Sequence, residues 1–185
     1  MKTNREQKGM TSEVNMTDEE LENAESFWSR KDASEKHMGR DELFTEIGGF
    51  LTSHKVCALA CGGKNFIRCT PLEYLWYDNK IWIFTEGGLK FRAMSENSKS
   101  SAAVFDPVCD FGHLKSVQIQ GSVEILGLPA PEFEEIAGVK KIPLEALKKL
   151  PEPMWLLKIT PDEMTFLNSS FKEQGYGVRQ TWKAE

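Results

Sequence analysis

Residues 66–105, FIRCTPLEYLWYDNKIWIFTEGGLKFRAMSENSKSSAAVF, narrow the fold more than any other stretch of the chain. Two β-type segments flank Asp78-Asn79, a pair that tolerates the positive φ angles of a tight hairpin turn. The returning segment carries Ile81, Trp82, Ile83 and Phe84 as an unbroken apolar run, so both of its faces need cover. A barrel interior on one side, with helices or a second subunit on the other, meets that need. Beyond Gly87-Gly88, LKFRAMSENSK reads as a short helix, and 102–105 as another strand.

The polar residues of this stretch are spaced to converge on one anionic ligand. Arg68 and Thr70 lie on one strand, Thr85 ends the next, and Lys90 and Arg92 follow the glycines. Basic residues in the first turns of a helix oppose the helix dipole, and a bound anion would account for them. Amides freed by the glycines, the helix N-terminus and Lys90 together make a phosphate cradle. The other reading has Lys90 and Arg92 simply solvated, and the Gly-Gly-x-Lys pattern by itself leans that way.

Residues 115–126 alternate cleanly. Val117, Ile119, Val123 and Ile125 share one face, while Ser116, Gln118, Gln120, Ser122 and Glu124 share the other, which is wet or faces a polar ligand. Further strands are expected at 56–61, at 66–77 with a bend at Pro71, and at 154–160 and 163–167 on either side of a Thr-Pro-Asp turn. Thr17 and Glu20 form a capping box ahead of a helix with Leu21, Ala24, Phe27 and Trp28 on one face. A second helix over 41–54 places Leu43, Phe44, Ile47, Phe50 and Leu51 at helical spacing. Gly48-Gly49 inside it costs about 1 kcal/mol per residue relative to alanine, which implies close packing on a sheet. Pro129 and Pro131 introduce helix at 132–139, with a further turn at 143–150. Residues 1–15 read as a flexible arm, 16–168 as one domain and 169–185 as an uncommitted tail containing Arg179 and Trp182. The fold class is α+β, built on a small antiparallel barrel.

Composition removes several functions. A net charge of −5 provides no basic field for nucleic acid. No apolar run approaches the ~18 residues of a membrane helix, and no secretory leader is visible, so a cytoplasmic location is expected. Cys57, Cys61, Cys69 and Cys109 lack the tight pairing of a zinc site and read as free thiols, Cys109 in a loop. His54 fits the end of its helix as a cap, and His113 sits in a loop long enough to cover a pocket mouth.

From about residue 41 to 168 the chain resembles the pyridoxamine 5'-phosphate oxidase-like, FMN-binding split-barrel superfamily, especially its small general-stress-protein-like members. The resemblance is carried by FLTSH before VCALAC, by the stretch 66–105, by VQIQGSVEIL and by the closing WLLKITPDEMTFLN. It implies an antiparallel six-stranded split barrel with flanking helices, homodimeric, with FMN at the subunit interface. Under it, Arg68, Cys69, Thr70 and Pro71 match the strand that passes along the flavin, and Phe84 and Thr85 match the strand end beside it. Gly88 and Lys90 match the phosphate-binding loop, and Ser116 a polar flavin contact. The implied activity is that of an FMN-dependent oxidoreductase of unknown small-molecule substrate, with NAD(P)H as a candidate donor.

Two departures separate this chain from the namesake enzymes. Glu73 stands where they carry a basic residue for substrate phosphate, and Leu167-Asn168-Ser169-Ser170-Phe171 replaces their arginine-and-histidine motif. A true pyridoxamine phosphate oxidase is therefore not expected. The same barrel serves haem-binding proteins, for which His113 or His54 would be the ligand, deazaflavin-binding relatives, and non-enzymatic flavin carriers or sensors.

Overall fold

The computed structural model describes residues 16–107, 110 and 112–185. The expected arm over 1–15 and the Cys109 thiol lie outside them. The chain divides into two units, Met1–Glu35 and Lys36–Glu185. The first contributes one described helix, α1 (Asp18–Asp32), whose capping box forms as expected. The Thr17 amide donates to Glu20 Oε2 at 2.9 Å, and the Glu20 amide donates to Thr17 Oγ1 at 3.2 Å. Phe27 and Trp28 meet edge to face at 5.1 Å on this helix.

The second unit is organised by one long strand. Its elements are α2 (Arg40–Ser53), β1 (Val56–Gly62), β2 (Ile67–Glu73), β3 (Leu75–Tyr77), β4 (Lys80–Thr85), α3 (Leu89–Glu96), β5 (Lys99–Phe105) and β6 (Lys115–Leu126). They are followed by α4 (Pro131–Val139), α5 (Leu144–Leu147), β7 (Trp155–Asn168), a 3-10 turn (Ser169–Gln174) and β8 (Arg179–Lys183). The strands form an antiparallel sheet in the order β2-β1-β5-β6-β7-β4-β3, with β8 added to β7. β7 pairs with β6 along its length, with β4 through its first half and with β8 through its second. The sheet curls so that β2 and β4, far apart in this order, approach each other.

One glycine sits at the irregularity in the β6/β7 ladder. The β6/β7 register shifts between Gln120 and Gly121, and a Cβ at Gly121 would lie 2.3 Å from the Thr160 carbonyl oxygen. Only glycine allows the two backbones to come that close. The concave face holds the main core, which includes Leu59, Ile81, Ile83, Val104, Val117, Ile119, Leu157 and Phe166. Helix α2 adds Leu43, Ile47, Phe50 and Leu51 to it at i, i+4, i+7 and i+8. Trp82, Phe133, Ile136 and Leu156 form a second cluster under α4. The apolar run 81–84 is thus covered on both faces, as its pattern demands.

Several expectations need correction. The sheet has eight strands rather than six. The strand expected to bend at Pro71 passes it without a shift in pairing, with Pro71 opposite Ala58. Because β2 ends the sheet order, the missing N–H of Pro71 leaves no ladder bond broken on its open side. The break falls instead at Tyr74, whose amide donates to the Lys55 carbonyl at 2.8 Å and whose hydroxyl donates to the Leu51 carbonyl at 2.7 Å. The two strands expected on either side of Thr-Pro-Asp are one, because Pro161 opposes Gly121 at the bulge. Gly48 meets Trp76 at ordinary contact distance and Gly49 faces open space, so no close packing requires either. The segment expected as an uncommitted tail is built into the sheet: Phe171 and Gln180 are fully buried.

Candidate functional site

Strand β1 joins two polar regions of different character. Near its start, His54 closes α2 as expected. Its Nδ1 lies 2.8 Å from the Phe50 carbonyl oxygen and its Nε2 lies 2.8 Å from Asp106 Oδ1. Its ring also lies tilted against that of Phe50 with centroids 4.1 Å apart. Near the other end of β1, the cations Lys90 and Arg68 make no ion pair among the described residues.

The second region is assembled from four elements. Arg68, on β2, stands opposite Cys61, on β1, and α3 packs against both strands. Lys90, in the first turn of α3, is only 8 % exposed, and its Nζ donates to the Gly87 carbonyl. Thr85 is buried at the end of β4, where its hydroxyl lies 3.5 Å from the Gly87 amide. Gly87 and Gly88 have φ of +116° and +100°, a conformation that side chains disfavour. No side chain caps α3 and no acidic residue occupies its first turn. Burial pulls the Lys90 ammonium below its ordinary lysine value, and repulsion from Arg68 adds to this, while Cys61 and Glu86 act in the opposite sense. Burial likewise pushes the Cys61 thiol up, against the pull of Lys90. A buried cation beside a second cation and an uncapped helix N-terminus is electrostatically incomplete, and an anion completes it.

Strand alternation sorts the residues expected at this site. Arg68, itself exposed, and Thr70 lie on the side of β2 shared with buried Cys61 and Leu59, whereas Cys69 and Pro71 point to the other, convex side. Phe84 turns away from Thr85 and packs edge to face on Phe133 at 5.2 Å, in the cluster under α4. Ser116 pairs with Phe105, five positions along β6 from the Gly121 that lines up with Ser100 and Cys61. Five positions of strand are about 17 Å, so Ser116 does not join the Lys90 group within one chain. Arg92 does not converge either: it is 3.7 Å from Glu96 and lies over the Phe66 ring. The residues brought together are Arg68, Thr85, Gly88 and Lys90, with Thr70 on the same side of β2 as Arg68. Sequence reasoning missed Cys61 as their neighbour, although its position in the β1–β2 hairpin opposite Arg68 carried that signal.

Glu73 has a local role. Its carboxylate lies 2.9 Å from Lys140 Nζ, and it occupies the opposite side of β2 from Arg68. Its charge is therefore compensated within the chain and directed away from the Lys90 group.

No protein-family model and no curated protein matches this sequence. Solved structures do match. A protein related to general stress protein 26, of the pyridoxinephosphate oxidase family, from Clostridium acetobutylicum aligns with a TM-score of 0.57 at 16 % identity, covering 77 % of this chain and 94 % of its own. The fold is the pyridoxamine 5'-phosphate oxidase-like split barrel. A FAD-binding protein from Mesorhizobium loti has the same split barrel, with a TM-score of 0.52 at 22 % identity over 66 % of this chain and 91 % of its own. So does the heme storage protein HutZ from Vibrio cholerae, with a TM-score of 0.52 at 11 % identity over 63 % and 88 %. Split barrels with such different names share a scaffold, and the choice of ligand rests on the side chains of each.

Proposed function

We propose that this split barrel is an FMN-binding flavoprotein, a homodimer acting as an oxidoreductase on a small molecule. The observation that carries the reading is Lys90, a buried cation with a backbone carbonyl and no carboxylate as its hydrogen-bond partner, set beside Arg68. The cofactor's phosphate fits that place: Lys90 and Arg68 supply charge, and the Gly87–Gly88 turn and the start of α3 supply backbone donors. FMN, when bound, supplies hydride or electron transfer, for which NAD(P)H is the donor in this reading. Thr70 and Thr85 orient the ligand from β2 and β4, and the barrel wall excludes water from it. No side chain need act as a general acid or base.

The two-sided distribution of the remaining residues supports the dimer. Cys69, Pro71 and Ser116 all face the convex side of the sheet, with exposed Val56, Ile67 and Phe105 among them. A second copy laid on that face covers these apolar side chains. A cytoplasmic location accords with the free thiols Cys57, Cys61 and Cys69. Among the described residues no helix is long and apolar enough to cross a membrane.

Vitamin B6 oxidation is not part of the proposal. The segment 167–171 that stands in place of the namesake motif is spent on structure: the Asn168 side chain accepts from the Ser170 amide at 3.1 Å, and Phe171 is buried in the core. The haem reading has the likeness to HutZ in its favour, and the Asp110 contact of His113 uses only Nδ1, but both ring nitrogens of His54 face partners within the chain. The absorbance spectrum of the protein as purified, with mass identification of the released ligand, tests the proposal. Flavin bands and released FMN support it; a Soret band or a deazaflavin chromophore overturns it. Bound FMN that NAD(P)H fails to reduce would leave a carrier or sensor and remove the oxidoreductase.

A further inference from the structure

A cavity of about 680 Å³ lies outside the Lys90 group, between the end of β6, the end of α5 and the start of β7. Ile125, Leu128, Leu147, Leu150, Met154 and Trp155 line it. Its one charged lining residue, Lys148, is already paired with Glu145 at 2.8 Å, so the cavity offers an incoming molecule no uncompensated charge. Its volume falls within the roughly 300–1,000 Å³ of pockets that take small organic ligands. Three prolines, Pro129, Pro151 and Pro153, stand in its walls and fix the local backbone, which resists collapse of the space. Ile125 and Leu150, 37 % and 39 % exposed, leave apolar surface open to water. Burying such surface under a ligand is favourable, and rigid walls lower the ordering cost of doing so.

We infer that this cavity is a binding site for a neutral, predominantly hydrocarbon or aromatic small molecule. The site adjoins the Lys90 end but is separate from it. Trp155 forms the shared wall: its ring meets Phe91 of α3 edge to face at 6.0 Å, and its backbone pairs with Thr85. The inference does not depend on which cofactor the Lys90 group holds.

Titration with the neutral fluorophore N-phenyl-1-naphthylamine, with and without saturating FMN, is the test. One saturable site per chain is expected, indifferent to FMN, and preferred at least tenfold over the anionic analogue 1-anilinonaphthalene-8-sulfonate. Leu147→Trp, which fills the cavity, and Leu150→Glu, which puts a carboxylate among its lining residues, should each weaken binding at least tenfold while the far-UV spectrum and melting cooperativity stay native. Binding that neither variant changes overturns the inference. So does displacement of the probe by FMN, which would make the cavity part of the cofactor site. A tighter anionic probe, or a loss of dimer on sedimentation of Leu150→Glu, also overturns it, the latter by showing that a second copy covers the cavity.

Discussion

The two polar regions joined by β1 differ in whether the chain completes them. At the His54 end, His54, Asp106 and Tyr74 all find partners inside the protein at 2.7–2.8 Å. At the Lys90 end, the buried ammonium donates to a backbone carbonyl, and neither it nor the Arg68 guanidinium makes an ion pair among the described residues beside the uncapped start of α3. The first region spends its polar groups on holding α2 to the sheet. The second tolerates desolvation and like-charge repulsion with no carboxylate bonded to either cation, only the more remote pull of Glu86, which is what a site that borrows its anion looks like.

The comparison breaks if substitutions at the two ends behave alike. The largest effect is expected outside both, at Phe171: Phe171→Ala removes a fully buried ring packed edge to face on Phe166 and should cost about 3–5 kcal/mol of stability by denaturant unfolding. A loss below about 1 kcal/mol would return residues 169–185 to the status of a tail. Next is Lys90→Met, which should weaken FMN by about ten- to a hundredfold, the worth of a charge-assisted hydrogen bond of ~1.5–3 kcal/mol, and should leave apo stability equal or higher. His54→Ala should do the reverse, lowering stability by about 1–3 kcal/mol through loss of the contacts that tie the Phe50 carbonyl to Asp106 while leaving FMN affinity within twofold. Equal effects of the two variants on binding would erase the distinction between the ends.

A smaller effect comes from pH. Because the folded Lys90 gives up its proton below the ordinary lysine value, FMN affinity should fall as pH rises through that lowered value, before ~10.4 is reached. Over the same interval the unfolded chain binds more protons than the apo protein, so apo stability gains from this group as pH rises. Both trends should vanish in Lys90→Met, and titrations of FMN across alkaline pH would show it. The smallest effect belongs to Glu73→Gln. Its exposed pair with Lys140 makes ~0–1 kcal/mol of difference to stability, and FMN affinity should not move.

Local patterns made much of the fold legible. The Asp78-Asn79 turn adopts φ of 48° and 59°, and the alternation over β6 sorts core from surface through Val123, whereas Ile125, expected on the core face, is exposed. What escaped was long-range. β8 is short and polar, and its place in the sheet is fixed by Gln180, whose side chain accepts from the Met38 amide and donates to the Gly177 carbonyl. Nothing near Gln180 in sequence announces a partner 142 positions away. The bulge at Gly121 merged two expected strands because its cause, the Thr160 carbonyl, lies on another strand. At the site, the double glycine and following lysine were visible, but the turning of Arg92 to Glu96 was not. Period-two alternation would already have set Arg68 and Thr70 apart from Cys69 and Pro71.

The central claim, that the Lys90 end holds the phosphate of a flavin, is tested most directly by comparing FMN with riboflavin, which lacks only that phosphate. Titrating both into the wild-type protein and Lys90→Met by flavin fluorescence separates the phosphate contact from the ring contacts. The account predicts a preference for FMN over riboflavin of tenfold or more in the wild type, largely lost in Lys90→Met. Equal affinity for the two flavins in the wild type, or a preference that survives the substitution, would contradict it.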